Sequence, residues 1–264
     1  MDTQAIDSTG GRRPPAAAAC CPVIELRHYT LRPGKRETLI ALFDRELVEP
    51  QEAVGMQVVA QFRDIDRPDV FTWIRGFADM PARTAALAAF YDGPVWGAHR
   101  DAANATMIDS DDVRLLRPAR PGSGFALDDA DRPPPGATAV PPGLFVATIY
   151  TLTAPAADGF ADVFQRAVVP ELVASGAPPI ALFETEPAAN GFPRLPVREG
   201  EHAFVWFARF ADPAAHGRHV TALEGSRQWR DVVRPALGRH LSAPVEVWRL
   251  TPTARSRLAL RHRP

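Results

Sequence analysis

His28 and His99 are the side chains whose type best suits proton transfer near neutral pH, because imidazole titrates there. Arg75 and Arg100 are the matching anion holders. Trp96, His99 and Arg100 fall at i, i+3 and i+4, so one helix face would present all three. A wall of that kind could bind an aromatic or carboxylate-bearing ligand by stacking and charge-assisted hydrogen bonding, with Asn104 nearby to orient it. The same spacing equally suits a helix that lays Trp96 on the core while Arg100 reaches outward. His28, flanked on its strand face by Ile24 and Leu26, would point at the helices if that apolar face is the covered one. Glu25 and Arg27 share the opposite face, two residues apart, as an ion pair would.

These residues stand out because the chain is written twice. Tyr29-Thr30-Leu31 recurs as Tyr150-Thr151-Leu152, Phe43 as Phe164 and Gly55 as Gly176, all displaced by 121 positions. Trp73 recurs as Trp206, Phe77-Ala78-Asp79 as Phe210-Ala211-Asp212 and Trp96 as Trp229, displaced by 133. Val113, Leu116 and Pro118 answer to Val247, Leu250 and Pro252, displaced by 134. An ordered series of aromatic landmarks with two changes of offset is the trace of duplication. The change of twelve falls near residues 186–200, where the second copy carries a longer Pro-rich loop.

The copies differ where chemistry could sit. Glu25, Arg27 and His28 correspond to Val146, Thr148 and Ile149, Arg75 to Ala208, and His99 to Val232. Two explanations follow. The first copy keeps a buried or interfacial ion-pair network while the second is structural, or the first copy retains a pocket and the second has become a scaffold. Convergence of His28, Arg75, His99 and Asn104 on one cavity would favour an enzyme or binder, and dispersal an interaction role.

The elements that must position these residues follow from periodicity. Residues 23–31 alternate and end at Pro33-Gly34, a strand and a turn; Leu39, Phe43 and Leu47 mark an amphipathic helix that stops before Pro50. Residues 56–63 and 70–77 are strands joined by a hairpin turn, 81–90 a helix, 94–105 a shorter helix with Pro at its first turn, and 113–117 a closing strand. The order β-α-β-β-α-(α)-β is ferredoxin-like, in the α+β class, and residues 144–252 repeat it. One such sheet leaves an apolar face bare. Two in one chain would pack sheet to sheet as an internal pseudo-dimer.

Glu25 to Gly34 (ELRHYTLRPG), a helix ending in Glu49-Pro50, Gly55 before a strand, and Thr72 to Arg83 (TWIRGFADMPAR) together resemble the NIPSNAP family of the dimeric α/β-barrel superfamily. The resemblance covers residues 23–118 clearly and 144–252 weakly. Gly93 to Asp111 is similar to a bacterial branch of the family. The resemblance implies the tandem ferredoxin-like, intramolecular α/β-barrel fold. It brings no agreed catalytic residues with it. Eukaryotic members are mitochondrial, with mitophagy and vesicle-related roles, but no Arg-rich amphipathic transit segment stands here to match them. Superfamily relatives include cofactor-independent oxygenases, haem-degrading enzymes and lactone isomerases, a likeness of architecture.

Composition narrows the remaining classes. The chain has 264 residues, 46% hydrophobic and 23% charged, with a net charge of −1, which leaves no electrostatic footprint for nucleic acid or an anionic membrane. No run approaches a membrane span, and the G-x-S-x-G, H-E-x-x-H, P-loop and dinucleotide motifs are absent, so no cofactor is expected. His216 and His219 have the spacing of two metal ligands on one helix turn but no obvious third, so an exposed helix face and no metal are expected. Cys20 and Cys21 are adjacent, too few and too close for a disulfide framework or a metal, which points to the cytoplasm. Arg12-Arg13 and the alanines before Cys20 lack the apolar run of a signal segment.

The expected organisation is a loose tail (1–22), a first repeat (23–118), a Pro/Gly-rich linker (119–143), a second repeat (144–252) and a solvated basic tail (253–264). Two functions from different classes fit. One is a cofactor-independent enzyme acting on a small hydrophobic carbonyl, quinone-like or lactone substrate, with His28 or His99 as general base and Arg75, Trp96, Arg100 and Asn104 binding. The other is a non-catalytic small-ligand-binding or protein-interaction module. Nothing in the sequence sets any further oligomeric state.

Overall fold

The computed structural model describes residues 20–127 and 132–258. The first repeat runs β1 (Val23–Leu31), α1 (36–53), β2 (Gln57–Asp64), β3 (Val70–Phe77), α2 (Met80–Tyr91), α3 (Pro94–Asn104), β4 (Met107–Asp109) and β5 (Val113–Pro118). The second runs β6 (Leu144–Leu152), α4 (160–174), β7 (Ala181–Thr185), β8 (His202–Phe210), α5 (Pro213–Gly225), α6 (229–238) and β9 (Glu246–Pro252). Beyond the expected order there is one addition, the three-residue β4, which pairs with the end of β1 after a register shift at Thr30 and Leu31.

Each repeat forms a four-stranded antiparallel sheet, β5-β1-β3-β2 and β9-β6-β8-β7. The sheets join edge to edge. β2 pairs with β9 from Phe62–Pro252 to Asp64–Leu250, and β5 pairs with β7 from Leu116–Thr185 to Pro118–Phe183. With β1 on β3, these seams close an eight-stranded barrel inside one chain, so the sheets have no open edge except where β4 is added. Inward side chains such as Ile24, Leu26, Phe62, Ile74, Phe145, Phe183, Val205 and Phe207 fill the barrel, while the outer face of each sheet packs under its own helices.

The repeat extends to backbone irregularities. α1 contains a π turn at Phe43–Leu47 and α4 one at Phe164–Val168, again 121 positions apart. A third, Trp229–Val233, opens α6. Pro50, Pro170 and Pro235 each follow one of these turns by two or three residues. Proline cannot donate to the carbonyl four residues back and its ring crowds it; widening the turn by one residue relieves that crowding. The helix expected to stop before Pro50 therefore continues to Ala53. Gly55 and Gly176, with φ of +95° and +90°, end α1 and α4 in the left-handed conformation that favours glycine.

The connecting segments are less loose than composition implies. Phe125 of the linker plugs the barrel, its ring 5.0 Å from those of both Phe183 and Phe207. Arg132 donates to Glu52, to the Val58 carbonyl and to the Arg255 carbonyl. The basic end expected in solvent is instead buried from Thr253 to Ser256: Arg255 grips Glu49 and the Asp44 and Pro133 carbonyls, and Thr253 donates to Gln61. At the other end Cys21 is buried against Gly76, where a Cβ would collide with its sulfur, so order begins before residue 23. The stretch from Arg12 to Ala19, expected to be part of a loose tail and not a signal segment, and the last basic residues, 259–264, lie outside the described residues.

Candidate functional site

On β1 the alternation of side chains sends Glu25, Arg27 and Tyr29 toward the helices and Ile24, Leu26 and His28 into the barrel. His28 thus points the opposite way from the expected helix-facing position, because the apolar face lines the barrel interior. Its ring stacks on Trp248 of the second repeat at 4.0 Å, and Nδ1 shares a hydrogen bond with Thr72 Oγ1 at 2.9 Å. Burial, reinforced by the Arg67 charge, pushes the imidazole down to about 4, so it is neutral near pH 7.

Under the helices of the first repeat, Glu25 accepts from three arginines. Arg27 Nη1 lies at 2.6 Å, Arg75 Nε at 2.7 Å and Arg83 Nε at 2.7 Å, and all four side chains are buried. Burial alone would raise the carboxyl, but Arg75, Arg27 and Arg83 outweigh it and hold Glu25 well below the ordinary carboxylate range. Tyr29 accepts from Arg27 Nε at 2.8 Å, Gln51 and Tyr91 from Arg75 Nη1, and Asn190, on the long loop of the second repeat, from Arg83 Nη1. Phe192 on the same loop packs against Tyr91. The cluster fills its repeat. A small cavity of about 30 Å³ nearby is lined by Tyr29, Gln51, Trp73, Tyr91, Trp96 and their neighbours, with neither Glu25 nor the three arginines in its wall.

The other expected site residues do not gather. Trp96 packs on Phe90 and Tyr91, at 6.0 and 5.0 Å between ring centroids. His99 is half-buried, with Nε2 3.6 Å from Glu46. Arg100 is exposed beside Asp101, and Asn104 is exposed. None of His28, Arg75, His99 and Asn104 lines any of three cavities among the described residues.

The second repeat is open at the corresponding place. A cavity of about 370 Å³ lies between β6 and β8 on one side and α5 and α6 on the other. The offsets of 121 and 133 explain it residue by residue. Where the first repeat has Glu25, Arg27, Gln51, Arg75 and Arg83, the second has Val146, Thr148, Leu172, Ala208 and His216, all smaller or apolar. Of the two explanations, the one in which the first copy keeps a pocket and the second is scaffold runs the wrong way here: long polar side chains occupy the space in one and short ones leave it open in the other. Trp206 and Trp229 form its walls, and Val220, Val245 and Val247, each between 41% and 48% exposed, line an apolar mouth of the kind found at binding sites. Glu224 and Arg234 pair at 3.0 Å on its rim.

His216 and His219, read from sequence as an exposed helix face, both line this cavity, and His219 is buried. The first turn of α5 is fixed by Asp212, whose carboxylate accepts from the Ala215 N–H at 2.7 Å, as Asp79 does from Ala82 in α2. His219 Nδ1 lies 3.3 Å from the Ser175 carbonyl. A carbonyl only accepts, so Nδ1 carries the proton and Nε2 the lone pair. Burial lowers both imidazoles, and for His216 the neighbouring His219 adds to it, so both are neutral near pH 7. A neutral imidazole with a defined lone pair in an apolar cavity can accept a proton from a bound molecule. No third His, Cys, Asp or Glu among the described residues completes a metal set with this pair. Only their shared spacing hinted at them; what gives it meaning is the replacement of Arg83 by His216.

Comparison with known proteins matches fold more than chemistry. An anthrone oxidase-like protein of known structure aligns with 93% of this chain and 99% of its own at 14% identity, TM-score 0.55. A candidate monooxygenase from Fusobacterium nucleatum aligns with 88% and 93% at 10% identity, TM-score 0.52. A NIPSNAP-like domain protein from Burkholderia xenovorans aligns with 42% of this chain and 85% of its own at 20% identity, TM-score 0.35. No curated protein sequence matches. No helix among the described residues is long and apolar enough to cross a membrane. At such identities the whole-chain likenesses establish the barrel alone, and it is the match of the NIPSNAP model to residues 24–121 that makes the first repeat of this chain a NIPSNAP-family domain.

Proposed function

We propose that the protein binds a small, flat, hydrophobic carbonyl or quinone-like molecule in the cavity of the second repeat, with His219 as the base that can take a proton from it. The observation that carries this reading is the cavity itself: about 370 Å³, walled by Trp206 and Trp229 and holding two neutral imidazoles. That volume falls in the range of small-molecule sites, and its lining suits stacking on an aromatic ring with few polar contacts. His28 and His99 do not line it, so the reading moves the base to the second repeat. A proton leaving an O–H or a C–H beside a ring carbonyl would pass to His219 Nε2, giving an imidazolium and an enolate. The oxidase and monooxygenase names of the structural neighbours support dioxygen as the oxidant of such an enolate.

The test is a titration of tryptophan fluorescence with menadione or an anthraquinone as probe. Saturable quenching is expected, and Val220→Trp, which blocks the mouth, is expected to weaken it at least about tenfold, the loss a good apolar contact carries. No saturable quenching in the native protein, or quenching indifferent to Val220→Trp, would overturn the reading. His219→Gln separates catalysis from binding. If oxygen uptake with a hydroxyquinone or anthrone probe is lost while quenching persists, His219 is the base; if the native protein binds such probes without uptake, the site is a binding site only.

A further inference from the structure

Cys20 and Cys21 stand at the end of the barrel that Phe125 plugs, and their two sulfurs are in contact. Sγ lies 2.6 Å from Sγ, with one thiol donating to the other. The two are not equivalent. Cys20 is half-buried, whereas Cys21 is 3% exposed and packs with Ile24, Leu116 and Phe125 in the barrel core. The hydrogen bond from Cys21, and after it the charge of Arg257, hold the Cys20 thiol below its ordinary value against the opposing effect of burial. That same bond, together with burial, pushes the Cys21 thiol up, so the thiolate forms on the accessible sulfur and the proton stays on the enclosed one. The surroundings hold the pair in place. The Cys20 N–H donates to the Phe125 carbonyl at 2.9 Å, and the Cys21 sulfur takes the room that a side chain at Gly76 would need. At offsets of 121 and 133 the second repeat has Pro141, Pro142 and Arg209 instead, so the arrangement belongs to the first repeat alone.

We propose that Cys20 and Cys21 are a peroxide-reactive dithiol that oxidises reversibly to a bridge within the pair. The Cys20 thiolate attacks one oxygen of a hydroperoxide; its O–O bond breaks and hydroxide leaves, giving a sulfenic acid on Cys20. The Cys21 sulfur then attacks the Cys20 sulfur; the S–S bond forms, the S–O bond breaks and the oxygen leaves as water with the Cys21 proton. The two thiols lose two electrons and two protons, and hydrogen peroxide becomes two waters. Contact between the sulfurs places the resolving thiol beside the sulfenic acid as it forms, which favours the bridge over further oxidation. Such a bridge is no structural staple. Consecutive Cα atoms stand about 3.8 Å apart, closer than the roughly 4.4–6.8 Å of relaxed disulfides, so the ring is strained and readily reduced again by thiols. A labile bridge of that kind also suits a chain whose two cysteines are too few for a disulfide framework.

The experiment treats the full chain with hydrogen peroxide and reads the mass of the intact protein, and of its peptide carrying both cysteines, without reductant. Because the chain has only two cysteines, a monomer whose cysteine peptide is lighter by two hydrogen atoms, closed to iodoacetamide and restored by dithiothreitol, is the expected product. Cys21→Ser is expected to stop at the sulfenic acid of Cys20, which dimedone captures. Cys20→Ser is expected to lose its remaining thiol at least about tenfold more slowly than the native chain loses its pair. The native reaction decides even if a serine at the buried position unsettles the fold. A native chain that keeps both thiols, passes to the sulfinic acid or links to a second chain would overturn the proposal, as would a Cys20→Ser chain that reacts as fast as the native one.

Discussion

Tyr29, Phe43 and Trp73 in the first repeat and Tyr150, Phe164 and Trp206 in the second stand at equivalent places, yet one set closes over charge and the other over space. In the first, Phe43 lies 4.8 Å from Trp73 and Arg27 and Arg75 cover the indole at 5.5 and 5.1 Å. In the second, Phe164 and Trp206 are 6.3 Å apart and Trp206 faces the cavity. The second copy, apolar or small-chained where the first is polar, holds a cavity and not a filled core. Shorter side chains on a shared frame leave a volume of about 370 Å³, while in the other copy the long charged side chains fill the corresponding place. A polar residue in a sequence signals chemistry only if the space around it is free, and here the long arginines consume that space.

The contrast is broken most directly at Glu25 and its counterpart Val146. Glu25→Ala leaves three buried guanidinium groups without a counter-charge and is expected to cost about 3–5 kcal/mol. Val146→Ala at the edge of the second cavity removes two methyl groups beside existing space and is expected to cost about 1 kcal/mol. Urea unfolding midpoints read both, and equal losses would mean that the cluster is not the structural centre of its repeat.

A second contrast lies at His28, where the second repeat has Ile149. With a folded value of about 4 against an ordinary 6.5, His28 takes up its proton more readily when unfolded. The stability that His28 contributes is therefore full above pH 6.5 and falls as pH drops toward 4, by roughly 3 kcal/mol, while Asp44, raised to about 6 by burial, works in the opposite direction over the same range. Glu25, held below the ordinary carboxylate range, begins its own loss as pH falls through the ordinary value of 4.5. His28→Ile, which copies the second repeat, is expected to flatten the profile between pH 6.5 and 4; an unchanged slope would assign it to other groups.

Much of the fold was legible in the sequence because duplication repeats what packing demands. Trp73 and Trp206, or Asp79 and Asp212, recur since each frame needs an aromatic under its π-turned helix or a cap at its second helix. The seams β2–β9 and β5–β7 were not legible, since edge pairing between repeats depends on tertiary approach. Phe125 could not be picked out as a barrel plug from one aromatic in a Pro/Gly-rich stretch. At the candidate site the list of differing positions was readable, and Glu25, Arg27 and Arg75 do form the buried network that was one of its two explanations. Which copy was hollow was not readable, because volume depends on what each side chain meets across the helix layer. His216 and His219 were discounted for the same reason: their meaning lies in Phe210, Trp229 and the Ser175 carbonyl around them.

The smallest expected difference is the most discriminating about what the repeats still share. Asp79 and Asp212 cap α2 and α5 by the same bond, at 2.6 and 2.7 Å to the N–H three residues on. Replacement of either by alanine is expected to cost about 1 kcal/mol, and the two losses to agree within the error of the measurement. Their effects on ligand should not agree. α5 carries His216 one turn from its cap and His219 one turn further, both on the cavity wall, so Asp212→Ala frees the end of the helix that holds the base. α2 lines no part of that cavity. Asp79→Ala is thus expected to leave quinone-probe quenching unchanged while Asp212→Ala weakens it a few-fold. Equal stability with unequal affinity would show that one capping device serves packing in the first repeat and binding in the second; equal affinity would confine both caps to packing.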